Sequence, residues 1–423
     1  MNILIKNATV ITQNKNREII NNCDILINGS KIEAVGSKLQ PSTLNHLPDT
    51  VIDATGKIAM PGLINMHTHV SMTLLRGLGE DLPLQEWLEK KIWPAEAKLT
   101  GKDIYNGAML GICEMIHSGI TCFNDMYLLG VDSIAKASEE AGIRASLSDA
   151  VITNLGHGTD RGISFAKKWK GKSELVTPHI SCHSIYACSE DAMLKAKEFA
   201  DKENLKFHMH ISETRKEIFD CLNKTKKYPI DYLGDIGLLD QNTILAHAGW
   251  VTKREIALAG KQKATIVNCP ISNLKLATGG ICQITEFDHQ GANVCLGTDG
   301  AASNNSLNMF ETMKISSLLQ KHHYWNAAIL PTQRILDFAT INGAKALGLN
   351  AGSIEKGKLA DIVLLDGKAA NLNPQHDLVS NIVYAGGPQN VTDVIINGKI
   401  IMRDRGIQAV DEEKIASASF RQI

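Results

Sequence analysis

What this sequence lacks narrows it first. No stretch of about 18 apolar residues occurs, so no membrane-spanning helix is expected. No excess charge of one sign occurs either: 44 Lys+Arg stand against 45 Asp+Glu, a formal net of -1. That is not the basic footprint of a nucleic-acid binder. Short basic runs such as Lys167-Lys168 and Lys224, Lys226, Lys227 read as solvated helix surface. The start, MNILIKNATVIT, lacks the basic leader, apolar block and small-residue cleavage site of a signal peptide, so none is expected. No CxxC pair occurs among the 9 cysteines, an odd number spread from Cys23 to Cys295. Reduced thiols in the cytoplasm, packed as small apolar side chains, are expected. With 44% hydrophobic and 21% charged residues, a disordered, collagen-like or coiled-coil chain is excluded.

What is present has two textures. Residues 1-55 and 352-423 read as short strands with polar turns, with Asn28-Gly29 and Asn397-Gly398 marking hairpins. Such matching ends predict one composite β-sandwich domain built from both termini. The middle, 56-351, alternates short apolar runs with helical stretches, the pattern of βα units and a parallel sheet. Eight strand candidates are KIAMPGLINMHTH, ITCFNDM, RASLSDA, HISCHSIY, KFHMHIS, TILAHAG, ATIVNCP and ANVCLGTDG. Helices are expected from Gly101 to His117, over Ser189–Glu203 and over Arg254–Gly260, among others. The length suits an α/β fold of the (β/α)8 type. A doubly wound sheet would carry a Gly-rich phosphate turn after its first strand, and none is present.

Polar residues gather at the downstream ends of these strands. His67 and His69 are two apart on the first strand, so both rings point to one face. The fifth strand ends at His210, the sixth at His247 and the eighth at Asp299. In a barrel the carboxyl ends of all strands surround one pocket. An isolated H-x-H pair, or a lone histidine at a strand end, is weak evidence; the conjunction is much stronger. Mixed nitrogen and oxygen donors suit one divalent ion, Zn²⁺, with Fe²⁺ as the alternative. Such an ion lowers the pKa of its water from ~15.7 towards ~7. Glu213, three residues past His210, is placed for general acid/base work. His247 can hydrogen-bond the attacking water or a developing oxyanion. His208 reads as support or packing beneath His210, and His179 stands similarly before His183. His46, His117, His157, His289, His322, His323 and His376 receive no role.

At these residues the sequence resembles the amidohydrolase superfamily and, within it, the methylthioadenosine/S-adenosylhomocysteine deaminase group. PGLINMHTHVSMTLLRG, FHMHISET, LAHAGW, NCPISNLKLATGG and GSIEKGKLADIVLLD carry the likeness, which extends over essentially the whole chain. WPAEAKLT and GTDGAASNNSLNMFE are the most specific stretches. The resemblance implies a metal-dependent (β/α)8 barrel with one metal on His67, His69, His210 and Asp299. It implies Glu213 as proton shuttle, with His247 and Asp299 orienting the water. It implies Glu96 on the ribose hydroxyls, His183 on the nucleoside, and a homo-oligomer. The fourth strand, HISCHSIY, has no lysine to carboxylate, which favours a single metal. Members that take S-adenosylhomocysteine can hold its carboxylate with two arginines. Arg161 matches one, but Asp149 stands at the other and would repel a carboxylate. Methylthioadenosine, 5′-deoxyadenosine or adenosine are favoured. Asn268 replaces a frequent histidine on strand seven. The expected activity is hydrolytic deamination of an adenine nucleoside. A deaminase or chlorohydrolase acting on a free base or s-triazine is the alternative, with a non-catalytic scaffold as a third reading.

Overall fold

The structure, a computed structural model, describes residues 2–39 and 48–419; His46 lies outside them. The middle of the chain alternates parallel strands and helices. Leu63–Thr68, Ile120–Tyr127, Arg144–Asp149 and Val176–Pro178 make one parallel sheet in chain order. Ile180–Ser181, Phe207–Ile211, Thr243–His247, Thr265–Asn268 and Asn293–Leu296 make a second. These strands are almost wholly buried, as parallel strands covered by helices on one face and side chains on the other must be. Local signals start the helices. In Gly101–His117, the Thr100 hydroxyl accepts from Asp103 N while the Asp103 carboxylate accepts from Thr100 N, so two otherwise unpaired donors are satisfied. The other expected helices are Glu190–Lys202, capped by Ser189, and Lys253–Lys261.

Each of the eight expected strand stretches contains a strand, but the backbone ladder runs as two arcs, not a closed ring. One seam falls at His179. The His179 N–H bonds Leu147 O in the first arc, and the Ile180 N–H bonds Lys206 O towards the second. At the other seam a side chain adds to the backbone, where the Asp299 N–H bonds His67 O at 2.9 Å. Asn65 Oδ1 accepts the Thr298 N–H at 3.0 Å, and its amide donates to Thr298 Oγ1 at 2.7 Å. Gly297 is required there, since a Cβ would lie 2.8–3.0 Å from His67 atoms.

Both ends of the chain share a nine-stranded sheet, joined where Lys57–Pro61 pairs antiparallel with Ile362–Asp366. Gly29 (φ 57°), Asn397 (φ 52°) and Gly398 (φ 68°) adopt the left-handed turn geometry that tight hairpins need. A separate apolar cluster, including Ile3, Ile25, Ile362 and Ile395, holds this sheet together. It is tied to the middle by a buried bidentate pair: Arg144 Nε and Nη2 donate to the Asp361 carboxylate at 2.9 and 3.1 Å.

Candidate active site

The strand ends converge as their spacing requires. His67 lies in the first strand, Leu63–Thr68, and His69 directly follows it; His210 sits in Phe207–Ile211, His247 ends Thr243–His247, and Asp299 follows Asn293–Leu296. The ring centroid of His67 lies 5.0 Å from that of His69, 4.8 Å from His210 and 5.4 Å from His247. Asp299 Oδ1 is 3.4 Å from His67 Nε2 and 3.3 Å from His69 Nε2. His247 and Asp299 take positive φ, 75° and 62°. Such backbone is costly for residues with a side chain and is held only by surrounding structure.

The outer nitrogens of two of these rings are tied to carbonyl oxygens. His69 Nδ1 donates to Met126 O at 2.7 Å, and His210 Nδ1 to His183 O at 2.8 Å. A carbonyl only accepts, so each Nδ1 carries the proton and each neutral ring offers a lone pair at Nε2. Those two Nε2 atoms face each other at 3.4 Å. The buried Nε2 of His67 has no hydrogen-bond partner. Lone pairs and a carboxylate crowded into one buried cup require a positive charge. Burial opposes a charge on His69, but the hydrogen bond to Asp299 raises its pKa to about 9. Burial alone would raise Asp299; its contacts with His67 and His69 hold it well below the usual carboxylate range. These donors fit a single divalent cation. His247 also lies within the cluster, grouped with His67 and His210.

A cavity opens over the cup. His69, Glu96, His183, His210, Glu213, His247 and Asp299 line it, between walls that include Leu84, Trp87, Trp93, Met126 and Leu276. No lysine or arginine lines it among the described residues. Glu213 stands two residues past its strand, its carboxylate 3.8 Å from His247 Nδ1, and burial raises its pKa. Glu96, at the end of the short helix Trp93–Glu96, is 2% exposed and accepts the Tyr127 hydroxyl at 2.7 Å on Oε1. Burial pushes it up to about 7.

Arg161 is not brought into this cavity. Its guanidinium pairs with Asp149 at 3.3 Å and bonds Leu128 O and the His157 ring, behind the Leu128 and Ala150 wall. Arg161, expected on the substrate, instead pairs with Asp149, the residue that stands in place of a second arginine. Several supporting residues were not foreseen. Ser272 and Ser303 donate to Asp299 Oδ2 at 2.6 and 2.7 Å, and Asn273 Oδ1 holds His247 Nδ1 at 2.9 Å. His208 Nε2 meets His67 Nδ1 at 3.2 Å, consistent with a supporting role. Ser272 and Asn273 lie in NCPISNLK, whose likeness to known deaminases was the one available signal. Asn268, on strand seven, bonds Ser316 and does not reach the cup.

Comparison with known proteins agrees with this geometry. The amidohydrolase family model matches residues 58–401. A 5′-deoxyadenosine deaminase from Methanothrix thermoacetophila is 40% identical over 420 residues, covering 99% of this chain and 98% of that protein. A 5-methylthioadenosine/S-adenosylhomocysteine deaminase from Thermoanaerobacter pseudethanolicus is 40% identical over 427 residues, covering 98% and 97%. The structure of a zinc-bound adenosine deaminase from Xanthomonas campestris superposes with TM-score 0.93 at 31% identity, covering 99% of this chain and 96% of that one. A guanine deaminase from C. acetobutylicum, at 24% identity and TM-score 0.82, shares the fold.

Proposed function

The chain belongs to the amidohydrolase family, and from that membership we propose that it deaminates an adenine nucleoside by hydrolysis, releasing ammonia and an inosine-type product. The observation that carries the reading is the clustering of His67, His69, His210 and Asp299 beneath a cavity lined by Glu213 and Glu96. The finer fold reading goes with it: 56-351, apart from the strand Lys57–Pro61 that pairs in the terminal sheet, is a (β/α)8 barrel, and 1-55 with 352-423 is a composite β-sandwich. The pairing of both termini in one sheet supports the latter.

His67, His69, His210 and Asp299 would hold one ion, Zn²⁺ or alternatively Fe²⁺. When bound, the ion supplies a water acidified towards neutral pH. Asp299 and His247 orient that water for addition to carbon 6 of the purine. Two serine hydroxyls fix Asp299, and Asn273 fixes His247. Glu213 takes the water proton, passes it to the adjacent ring nitrogen and then helps protonate the leaving amine. Its burial raises its proton affinity, which suits a group that must both accept and give. The Glu96 carboxylate has a second oxygen available to the vicinal ribose hydroxyls, and His183 contacts the nucleoside.

The Arg161–Asp149 pair and the absence of a cation in the cavity lining support an uncharged 5′ substituent over a carboxylate. Nine buried free cysteines support a reducing, cytoplasmic setting. No helix among the described residues is long and apolar enough to cross a membrane. Homo-oligomeric assembly belongs to the same reading and is checked by light scattering on the purified chain. The deciding experiment is an ammonia-release screen of adenosine, 5′-deoxyadenosine, methylthioadenosine, S-adenosylhomocysteine, guanine and cytosine. Turnover confined to the free bases would replace the nucleoside reading.

A further inference from the structure

Among the described residues, three helices begin with the pattern Thr-x-x-Asp/Glu: Thr100 to Asp103, Thr214 to Glu217 and Thr252 to Glu255. In the first and third, the acid returns to the backbone N–H of its own threonine, at 2.9 and 2.8 Å. That is the ordinary capping box. The middle one departs from it. Glu217 reaches past Thr214: Oε2 accepts the Glu213 N–H at 2.9 Å and Oε1 accepts the Ser212 N–H at 2.8 Å. The Thr214 hydroxyl still caps the helix through Glu217 N at 3.2 Å, so the carboxylate is not needed for that purpose.

The turn it grips is strained and buried. Ser212 has φ 51°, in the left-handed region that side-chain-bearing residues avoid, and its hydroxyl is buried without a partner. Glu217 itself is 3% exposed, and burial pushes its pKa up to about 7. A carboxylate set in such a place is costly unless its hydrogen bonds repay it. Both that the structure gives it end on the two residues that launch the Glu213 side chain. Trp250 N closes the same turn from the next strand's loop, through Ser212 O at 2.9 Å.

We propose that Glu217 is a positioning residue: its carboxylate clamps the Ser212–Glu213 turn and so holds the Glu213 carboxyl where protons are transferred. The inference rests on the reading of Glu213 as the proton shuttle. Glu217 is not among the residues lining the cavity over the cup, and it acts through Glu213. A misplacement of about 1 Å in a reacting group can cost about 100-fold in rate. In Glu217→Gln one acceptor oxygen becomes an N–H₂ group facing a backbone N–H, so the clamp opens on one side.

The test is a double-mutant cycle on the metal-loaded full chain, with adenosine as substrate. Wild type, Glu217→Gln, Glu213→Gln and the double variant are compared for kcat, KM and bound metal. Glu217→Gln is expected to lower kcat about 100-fold, with KM and metal content near wild type. In the Glu213→Gln background the same change is expected to cost nothing further. An equal loss in both backgrounds, or a loss expressed in KM or metal content, would overturn the proposal. Full activity of Glu213→Gln would instead overturn the shuttle reading, a separate result. Should Glu217→Gln not fold, Glu217→Asp keeps the charge but withdraws it by one methylene. A fall in kcat is again expected only while Glu213 is present, and equal falls in both backgrounds refute it.

Discussion

Replacing Glu96 by glutamine separates a ribose-binding cavity from one built for a bare base. Glu96 is nearly sealed from solvent, with Tyr127 on one oxygen and the cavity before the other. Hydrogen bonds to a charged group contribute about 1.5–3 kcal/mol each. Losing one to the ribose diol corresponds to roughly a 10- to 150-fold fall in kcat/KM. Burial raises the carboxyl to about 7, so the free enzyme gains its charged acceptor as pH rises through neutrality. At pH 6 only about one molecule in ten carries it. KM for a riboside is therefore expected to be about tenfold higher at pH 6 than at pH 8, and this dependence should vanish in Glu96→Gln. The assay is ammonia release from 5′-deoxyadenosine between pH 5.5 and 8.5 with both proteins. Equal kcat/KM in the variant, or identical pH profiles, would refute the assignment of Glu96 to the ribose.

Other expectations follow from the same geometry. Glu213→Gln should lower kcat by at least ~10²–10⁴-fold with bound metal retained, as measured by steady-state kinetics beside elemental analysis. Chelation should abolish ammonia release and lower the thermal midpoint by calorimetry, since an ion at 1,000 times its Kd stabilises by about 4 kcal/mol; adding Zn²⁺ or Fe²⁺ should restore both. Asp149→Asn frees Arg161 from its ion pair and should raise kcat/KM for S-adenosylhomocysteine relative to 5′-deoxyadenosine by about tenfold. An unchanged ratio shows that Arg161 cannot reach the substrate. Arg144→Ala strands Asp361 between the terminal sheet and the middle, and should cost about 3–5 kcal/mol in urea unfolding.

Local rules acting over a few residues made much of this molecule legible. Short apolar runs marked the strands, Asn-Gly pairs marked the hairpins, and His67-x-His69 had to present two rings to one face. The joining of His67 to Asp299 needed one more rule, that parallel strands bring their carboxyl ends together. What the sequence could not decide depends on contacts without fixed spacing. That Arg161 pairs with Asp149 and does not line the cavity rests on a 3.3 Å ion pair behind the cavity wall. That Asn65 bridges the outer strands of the two parallel sheets, and that two serines and Asn273 hold the site's polar groups, follows from chain segments meeting from distant positions. Glu217 illustrates the division: its spacing from Thr214 announced a helix cap, and only the three-dimensional path of the Ser212 turn redirected its carboxylate to Glu213. A local pattern states which bonds a residue can make; the packed chain determines which donors are within reach.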